Sequence, residues 1–523
     1  MENRNRELER KKRKRQRQLK RRLIAGGLVL GAVCLAAGMW VLAGHEDAAG
    51  NVTVEGTGAP ETRQNFKETG ELETLFAENQ EQSELENATV DETAETTKIE
   101  SRETTVALAA KTELPSRYDL REQGTAPTVP DQGTFGTCWA FASLGALESS
   151  MPSEFRKSLS ADHMSIRNSF GLGQDAGGDY SISSAYLLAW QGPVAAEDDP
   201  YGDGRSPEHL EPVCHVQEIQ ILEEKDFDAV KRAVYETGGV QSSFYMPQEA
   251  GAERDRYYNE ETYAFYYDGS LGANHDVVIV GWEDDYPKEN FVKEPSEDGA
   301  FLCMNTWGES FGDRGYFYIS YEDSRIGTTN VSYTGIEGTD HYDMIHQTDL
   351  CGWTGQLGYG ASKAWFANVY EAAEDEELAA AGFYATVADT SYRVYVAEFA
   401  GDAQKNADHE GQDNGGLEAA GKALSERKLV AEGHVANAGF YTIAWNEAVE
   451  LSAGDRFAVV IEIDSPATTE PVAVEYKAGS RTANVDIEDG EGYISPDGIN
   501  WQRVETEQQC NVCLKAYGRK KRG

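Results

Sequence analysis

The spacing of apolar and polar residues divides the chain into unlike parts. Residues 23–44 form a 22-residue apolar run with no ionisable side chain except the Cys34 thiol. At ~1.5 Å per residue such a run reaches about 33 Å, enough to cross a hydrocarbon core of roughly 30 Å. Residues 45–112 show no sustained period and few large apolar side chains. Beyond Leu114-Pro115 the texture becomes that of a folded chain. Phe141, Leu144 and Leu147 recur about one turn apart and predict a helix opening near Cys138. The β-branched run Val277 to Val280 predicts a buried strand, and Phe301 to Met304 predicts a second short one. From about residue 338 the pattern alternates in short strands, including Ala364 to Tyr370, Tyr392 to Ala397, Arg456 to Ile463 and Val472 to Tyr476. Gly-, Asn- and Asp-rich turns separate them, which predicts a β-sandwich.

Charge sharpens this division. The chain holds 90 acidic against 47 basic side chains, a net charge of -43, and such a surface repels phosphate backbones, so no nucleic-acid partner is expected. The first 22 residues invert the balance, with twelve Lys or Arg and three Glu. A basic flank before an apolar run predicts a cytoplasmic tail (1–22), a membrane-spanning signal-anchor (23–44) and an extracellular remainder. The alternative is secretion after cleavage near Val41-Leu42-Ala43, although secretory apolar regions usually run only about 7–15 residues. Residues 45–112, rich in Glu, Thr, Gln and Asn, are expected to form a disordered acidic stalk, too poor in apolar surface to offset the entropy of ordering. An inhibitory pro-segment there would need an apolar helical stripe, for which Leu72, Leu75, Phe76 and Leu85 are the available residues. Seven scattered cysteines do not make a disulfide scaffold. Cys510-x-x-Cys513 lacks a second ligand pair, so no metal and no cofactor is expected.

The chemistry gathers in three segments. Gln132-Gly133-Thr134-Phe135-Gly136-Thr137-Cys138 places a cysteine at the start of the expected helix, beside unpaired N–H groups that favour a thiolate. His275 opens the β-branched strand, and Asn305 ends the next apolar run. A thiol nucleophile, an imidazole to exchange its proton and a side-chain carbonyl to orient the imidazole are the parts of cysteine-based acyl transfer.

These segments resemble the papain family of cysteine peptidases, from Leu114-Pro115-Ser116-Arg117-Tyr118-Asp119 to about Tyr318. The resemblance implies an α+β, two-lobe fold over 113–337, with a helical lobe carrying Cys138 and a β-barrel-like lobe carrying His275 and Asn305. It implies Cys138 as nucleophile, His275 as general acid/base, Asn305 as its orienting residue and Gln132 as oxyanion donor. Trp307 would shield the His–Asn hydrogen bond, and the backbone of Gly177-Gly178 would pair with an extended peptide or protein substrate. Two departures stand out. The disulfide usual beside the nucleophile has no partners here, its positions being Phe135 and Asp175. Asp276 follows the histidine where a small apolar residue is usual, and is expected to face solvent, the alternative being a carboxylate that stabilises the imidazolium.

The segment His346 to Trp353 and the strands after it resemble the lectin-like domain that follows papain-like domains in some anaerobic Gram-positive bacteria. That implies an all-β sandwich over 338–518, with carbohydrate as a possible partner and a structural role as the alternative; residues 519–523 read as a solvated basic tail. The acidic segment Glu283 to Asp298 is either a solvated turn or a loop overhanging one end of the cleft. The functional expectation is a membrane-anchored extracellular cysteine endopeptidase. The alternative is a surface adhesin or wall-binding protein with a non-catalytic papain-like fold.

Overall fold

The computed structural model describes residues 113–247, 251–399 and 414–521. The expected tail, membrane-spanning run and stalk lie outside these residues. Among the described residues, no helix is long and apolar enough to cross a membrane.

The helix Cys138–Ser150 is the axis of the first lobe, and almost its whole circumference is buried. Small side chains let it approach the sheet closely. A methyl group at Gly145 would lie 2.9 Å from the end of Met304 and 3.2 Å from Val278. The helix thereby rests on the antiparallel hairpin formed by strands His275–Glu283 and Ala300–Met304. Val277, Val278, Ile279 and Val280 are all fully buried, as a β-branched run covered on both faces should be. Burying these side chains contributes on the order of 1.5–3 kcal/mol each. The start of the first strand and the end of the second lie at one end of the hairpin, so His275 and Asn305 are brought together by strand pairing.

The β-rich part is a sandwich, as the alternation predicts. Strands Lys363–Glu371, Thr390–Glu398 and Arg456–Asp464 belong to a six-stranded sheet. Its Phe366, Val394, Phe457, Val459 and Ile461 share one core with Leu378, Phe383 and Leu514 from the opposing sheet. That opposing sheet is not separate from the first lobe. Strand Ala438–Leu451 pairs with strand His215–Leu222 through Ala438 to Tyr441, and one thirteen-stranded sheet runs through both regions. Gly439 makes the junction possible. At φ 145° a side chain there would be strained, and its Cβ would stand 2.1 Å from the Ile219 carbonyl oxygen.

One boundary needs correction. Arg519 and Lys520 are not a solvated tail: they end strand Leu514–Lys520 and pair with Glu377 and Glu376. Strand Leu514–Lys520 fills the side of strand Glu376–Ala385 that strand Ala438–Leu451 leaves free, and Lys520 Nζ lies 2.8 Å from a Glu374 carboxylate oxygen.

Candidate functional site

The loop before Cys138 and the loop after Asn305 run antiparallel. Gln132 N–H donates to the Thr306 carbonyl at 2.8 Å, Gly308 N–H donates to Pro130 at 2.8 Å, and Asp131 bridges Trp307. These backbone bonds bring Gln132 beside the Cys138 helix. Gln132 is buried; its Nε2 donates to the Phe135 carbonyl at 2.7 Å, and its Oε1 accepts from the Thr306 hydroxyl. One amide hydrogen of Gln132 is engaged with Phe135, leaving the second for another acceptor.

His275 and Asn305 are both buried, and His275 Nε2 stands 2.7 Å from Asn305 Oδ1. The Thr306 N–H also donates to that oxygen, at 2.7 Å. The carbonyl end of the amide therefore faces the ring, Nε2 carries the hydrogen, and Nδ1 presents the lone pair. Trp307 covers the ring, with centroids 4.7 Å apart. Asn305 Nδ2 is buried with no partner among the described residues.

Cys138 is the first residue of its helix, and Thr137 caps it with no side-chain bond, so the helix N-terminus stays open toward the sulfur. The backbone amide of Asp276, next to His275, hydrogen-bonds the sulfur and favours its charged form. Burial acts the other way and wins: it pushes the thiol up to about 12, with the Asp276 carboxylate adding to the shift. Burial also lowers His275 to about 4, against the opposing bond from Asn305. Burial thus opposes the thiolate that the helix end and a protonated His275 would favour. Cys138 itself is only half-buried, so the helix end and the desolvation act on its sulfur in opposite directions.

Asp276 also departs from expectation. It is buried on the same side of its strand as Val278, which packs on Gly145 of the nucleophile helix. Ser243 hydroxyl donates to Oδ1 at 2.6 Å and Gln241 Nε2 donates to Oδ2 at 3.0 Å. Gln241 Oε1 in turn lies 2.8 Å from Ser143 Oγ on the helix and accepts from the Tyr333 hydroxyl at 2.9 Å. Nothing local in the sequence marks Gln241, Ser143 or Tyr333. Asp276 was itself the available signal, being a carboxylate in a buried strand. Its pKa is raised to about 6, because burial outweighs the bonds from Ser243 and Gln241.

Gly177 and Gly178 sit beside the nucleophile loop. Gly136 N–H donates to the Gln174 carbonyl at 3.0 Å. A Cβ on Gly178 would be 2.6 Å from the Trp139 indole, whereas at Gly177, with φ 73°, it would meet nothing within 4 Å. The pair thus packs flat against the helix on one side and is open on the other. The segment around Glu283 to Asp298, by contrast, lies at the far end of the hairpin from His275 and Asn305. The eight steps of strand His275–Glu283 separate them by about 27 Å. Its charges are partly paired, Asp284 with Lys231 at 2.6 Å and Glu294 with Lys288 at 3.5 Å. It is a surface turn whose Asn290 carbonyl accepts from Asn259 Nδ2 at 2.8 Å and from the Thr262 hydroxyl at 2.6 Å.

Among the described residues, no group of His, Cys, Asp and Glu could hold a metal ion. A thiol, an imidazole with a free lone pair and a fixed carboxamide together can perform nucleophilic cysteine chemistry.

Residues 114–336 match the model of the papain family cysteine protease, and residues 345–518 match that of the lectin like domain. Cathepsin K of Mus musculus is 27% identical over 230 residues, covering 42% of this chain and 64% of that protein. Cathepsin L of Sarcophaga peregrina is likewise 27% identical, over 235 residues, with 42% and 63% covered. The chain thus spans less than two thirds of the length of these curated relatives. In fold it is similar to the clostridial cysteine protease Cwp84 after propeptide cleavage, with a TM-score of 0.65, 24% identity, and 77% of this chain and 100% of that one covered. It is also similar to the cysteine protease and lectin-like domains of Cwp84, a surface layer associated protein of Clostridium difficile, with a TM-score of 0.63, 23% identity, and 77% and 88% covered. The chain carries a papain-family cysteine protease domain followed by a lectin-like domain.

Proposed function

We propose that this papain-family protease domain is an active cysteine endopeptidase, with Cys138 as nucleophile, His275 as general base and acid, and Asn305 holding the ring. The observation that carries the reading is the shared Asn305 oxygen, which holds His275 by Nε2 and leaves its Nδ1 lone pair to accept a proton. His275 takes the Cys138 proton as sulfur attacks a peptide carbonyl. The tetrahedral oxyanion is met by the second amide hydrogen of Gln132 and the helix N–H groups at Cys138. The proton then passes to the leaving amine, and water hydrolyses the thioester by the same route in reverse.

Extended peptides are the substrate class, bound along the open side of Gly177-Gly178 and reaching Trp307. The enzyme acts outside the cell, held by residues 23–44 in the membrane and spaced from it by residues 45–112. The surface-layer association of Cwp84 supports the extracellular part of this reading. The lectin-like domain (338–518) is read as a partner of the protease that also offers a surface for carbohydrate. The decisive experiment is cleavage of a fluorogenic peptide library together with labelling by a peptidyl epoxide, on the wild type and Cys138→Ser. Labelling confined to wild-type Cys138 supports the proposal, and cleavage that survives in Cys138→Ser overturns it.

A further inference from the structure

We propose that Arg481 of the lectin-like domain is a positioning residue for the protease domain, holding the Gly177-Gly178 segment in the geometry that receives substrate. The inference rests on the endopeptidase reading above and adds to it a working role for the second domain.

The segment needs holding. Gly177 lies at φ 73° with open space where a side chain would be, and glycine moves freely among such conformations. Phe135 and Asp175 occupy the positions where a disulfide would otherwise brace this segment, and the cysteines of the described residues are all free thiols. On the upstream side the Gln174 backbone is tied to Gly136, while the Gln174 side chain donates to Asp162 at 2.8 Å and Ser165 at 2.9 Å. On the downstream side the residue bonded to Gly178 is Asp179. It caps the helix Tyr180–Leu188 through the Ser181 N–H at 2.9 Å.

The grip on Asp179 comes from the other domain. Arg481 Nη2 reaches both carboxylate oxygens, at 2.9 and 2.8 Å, and the Ser181 hydroxyl at 2.8 Å. The pair is largely sheltered, with side-chain exposures of 26% for Arg481 and 18% for Asp179. Charge-assisted bonds in such a setting are stronger than exposed ion pairs. The guanidinium also lies over Phe170, 5.2 Å from the ring centre. The backbone adds to the clamp: Gly171 N–H donates to the Arg481 carbonyl at 3.0 Å. A Cβ on Gly171 would stand 2.6 Å from the Ser480 oxygen, so the two loops touch main chain to main chain. All three bonds come from the one nitrogen Nη2, which draws both Asp179 oxygens and the Ser181 hydroxyl to a single point. The geometry sets the first peptide after Gly178, and with it the direction of the glycine segment.

The test uses the full chain with Arg481→Met, which keeps the stem over Phe170, Arg481→Lys, which keeps the charge, and Asp179→Asn. In Arg481→Met, KM for an extended peptide is expected to rise about fivefold to tenfold with kcat within about twofold, the signature of lost ground-state binding. Iodoacetamide alkylation of Cys138, which needs no contact with the glycine segment, should stay within about twofold. Arg481→Lys should recover at least half of the lost affinity, and Asp179→Asn combined with Arg481→Met should add little to either alone. An unchanged KM in Arg481→Met overturns the proposal. So does an equal loss of alkylation and peptide cleavage, which would mean general loosening. A wild type that neither cleaves peptide nor takes up the epoxide overturns the endopeptidase reading, and this role with it.

Discussion

His275 Nε2 and the Thr306 N–H meet at one oxygen, Oδ1 of Asn305, each at 2.7 Å. The backbone amide settles which way the carboxamide faces, and the carboxamide then settles the ring tautomer. Asn305→Ala removes the acceptor for both, and kcat/KM is expected to fall roughly tenfold to a hundredfold, as for other residues that orient a catalytic side chain. The fold should survive, since strand Ala300–Met304 ends before Asn305. Steady-state kinetics with a melting curve on the same sample checks both statements.

Acid should silence the enzyme through His275. Burial lowers its imidazole to about 4 from an ordinary 6.5, so the base stays neutral through the mildly acidic range and is lost as pH approaches 4. The expected kcat/KM profile holds through pH 6.5 and drops near 4. With the thiol pushed up to about 12, alkylation of Cys138 in the free protein should speed up as pH rises above neutral. A rate that is flat from neutral pH down to 4 would instead reveal a preformed thiolate.

Asp276 should make stability depend on pH. Its carboxyl is raised to about 6 from 3.8 by burial, so the folded state holds the proton more tightly than the unfolded chain. That contribution is complete below 3.8 and is lost as pH rises through 6. Asp276→Asn removes the loss, and its stability relative to the wild type should improve by up to about 3 kcal/mol across that interval. Removing the negative charge also removes one cause of the raised Cys138 thiol, so alkylation should quicken. Urea melts on both sides of pH 6 and an alkylation rate test the two effects.

His215 should act with the opposite sign. It is stacked on Trp190 at 3.8 Å, its Nδ1 is buried without a partner among the described residues, and burial lowers it to about 4. The neutral ring is favoured in the fold, so this contribution is present above 6.5 and is lost as pH falls through 4. His215→Gln should flatten acid unfolding by as much as about 3 kcal/mol, read from melting temperature against pH.

Gly136→Ala tests the contact between the nucleophile loop and the glycine pair. Its Cβ would stand 2.9 Å from Gly177 N and 3.2 Å from the Gln174 oxygen, both backbone atoms that cannot swing aside. The loops should separate, and a shift on the order of 1 Å at a site of this kind can cost about a hundredfold in rate. Peptide turnover is expected to fall by at least tenfold.

The nucleophile helix, the buried strand of His275, the strand ending at Asn305 and the alternating strands of the sandwich all followed from periodicity and side-chain type, because each signal lies within a few residues. The candidate site was legible for the same reason: Cys138, His275 and Asn305 each stand at the end of an element that the local pattern marks. What faces what was not legible. Asp276 was read as solvent-facing, yet the register that sends His275 to Asn305 sends its neighbour toward the Cys138 helix, where Ser243 and Gln241 receive it. The acidic segment joined the right strands but lies at the far end of their hairpin. The pairing of Ala438 to Tyr441 with strand His215–Leu222, and the reach of Arg481 to Asp179, join residues hundreds of positions apart. Such contacts leave no period in the sequence. Strand order, register and the packing of one domain's edge on another decide them, and these exist only when the whole chain has closed on itself.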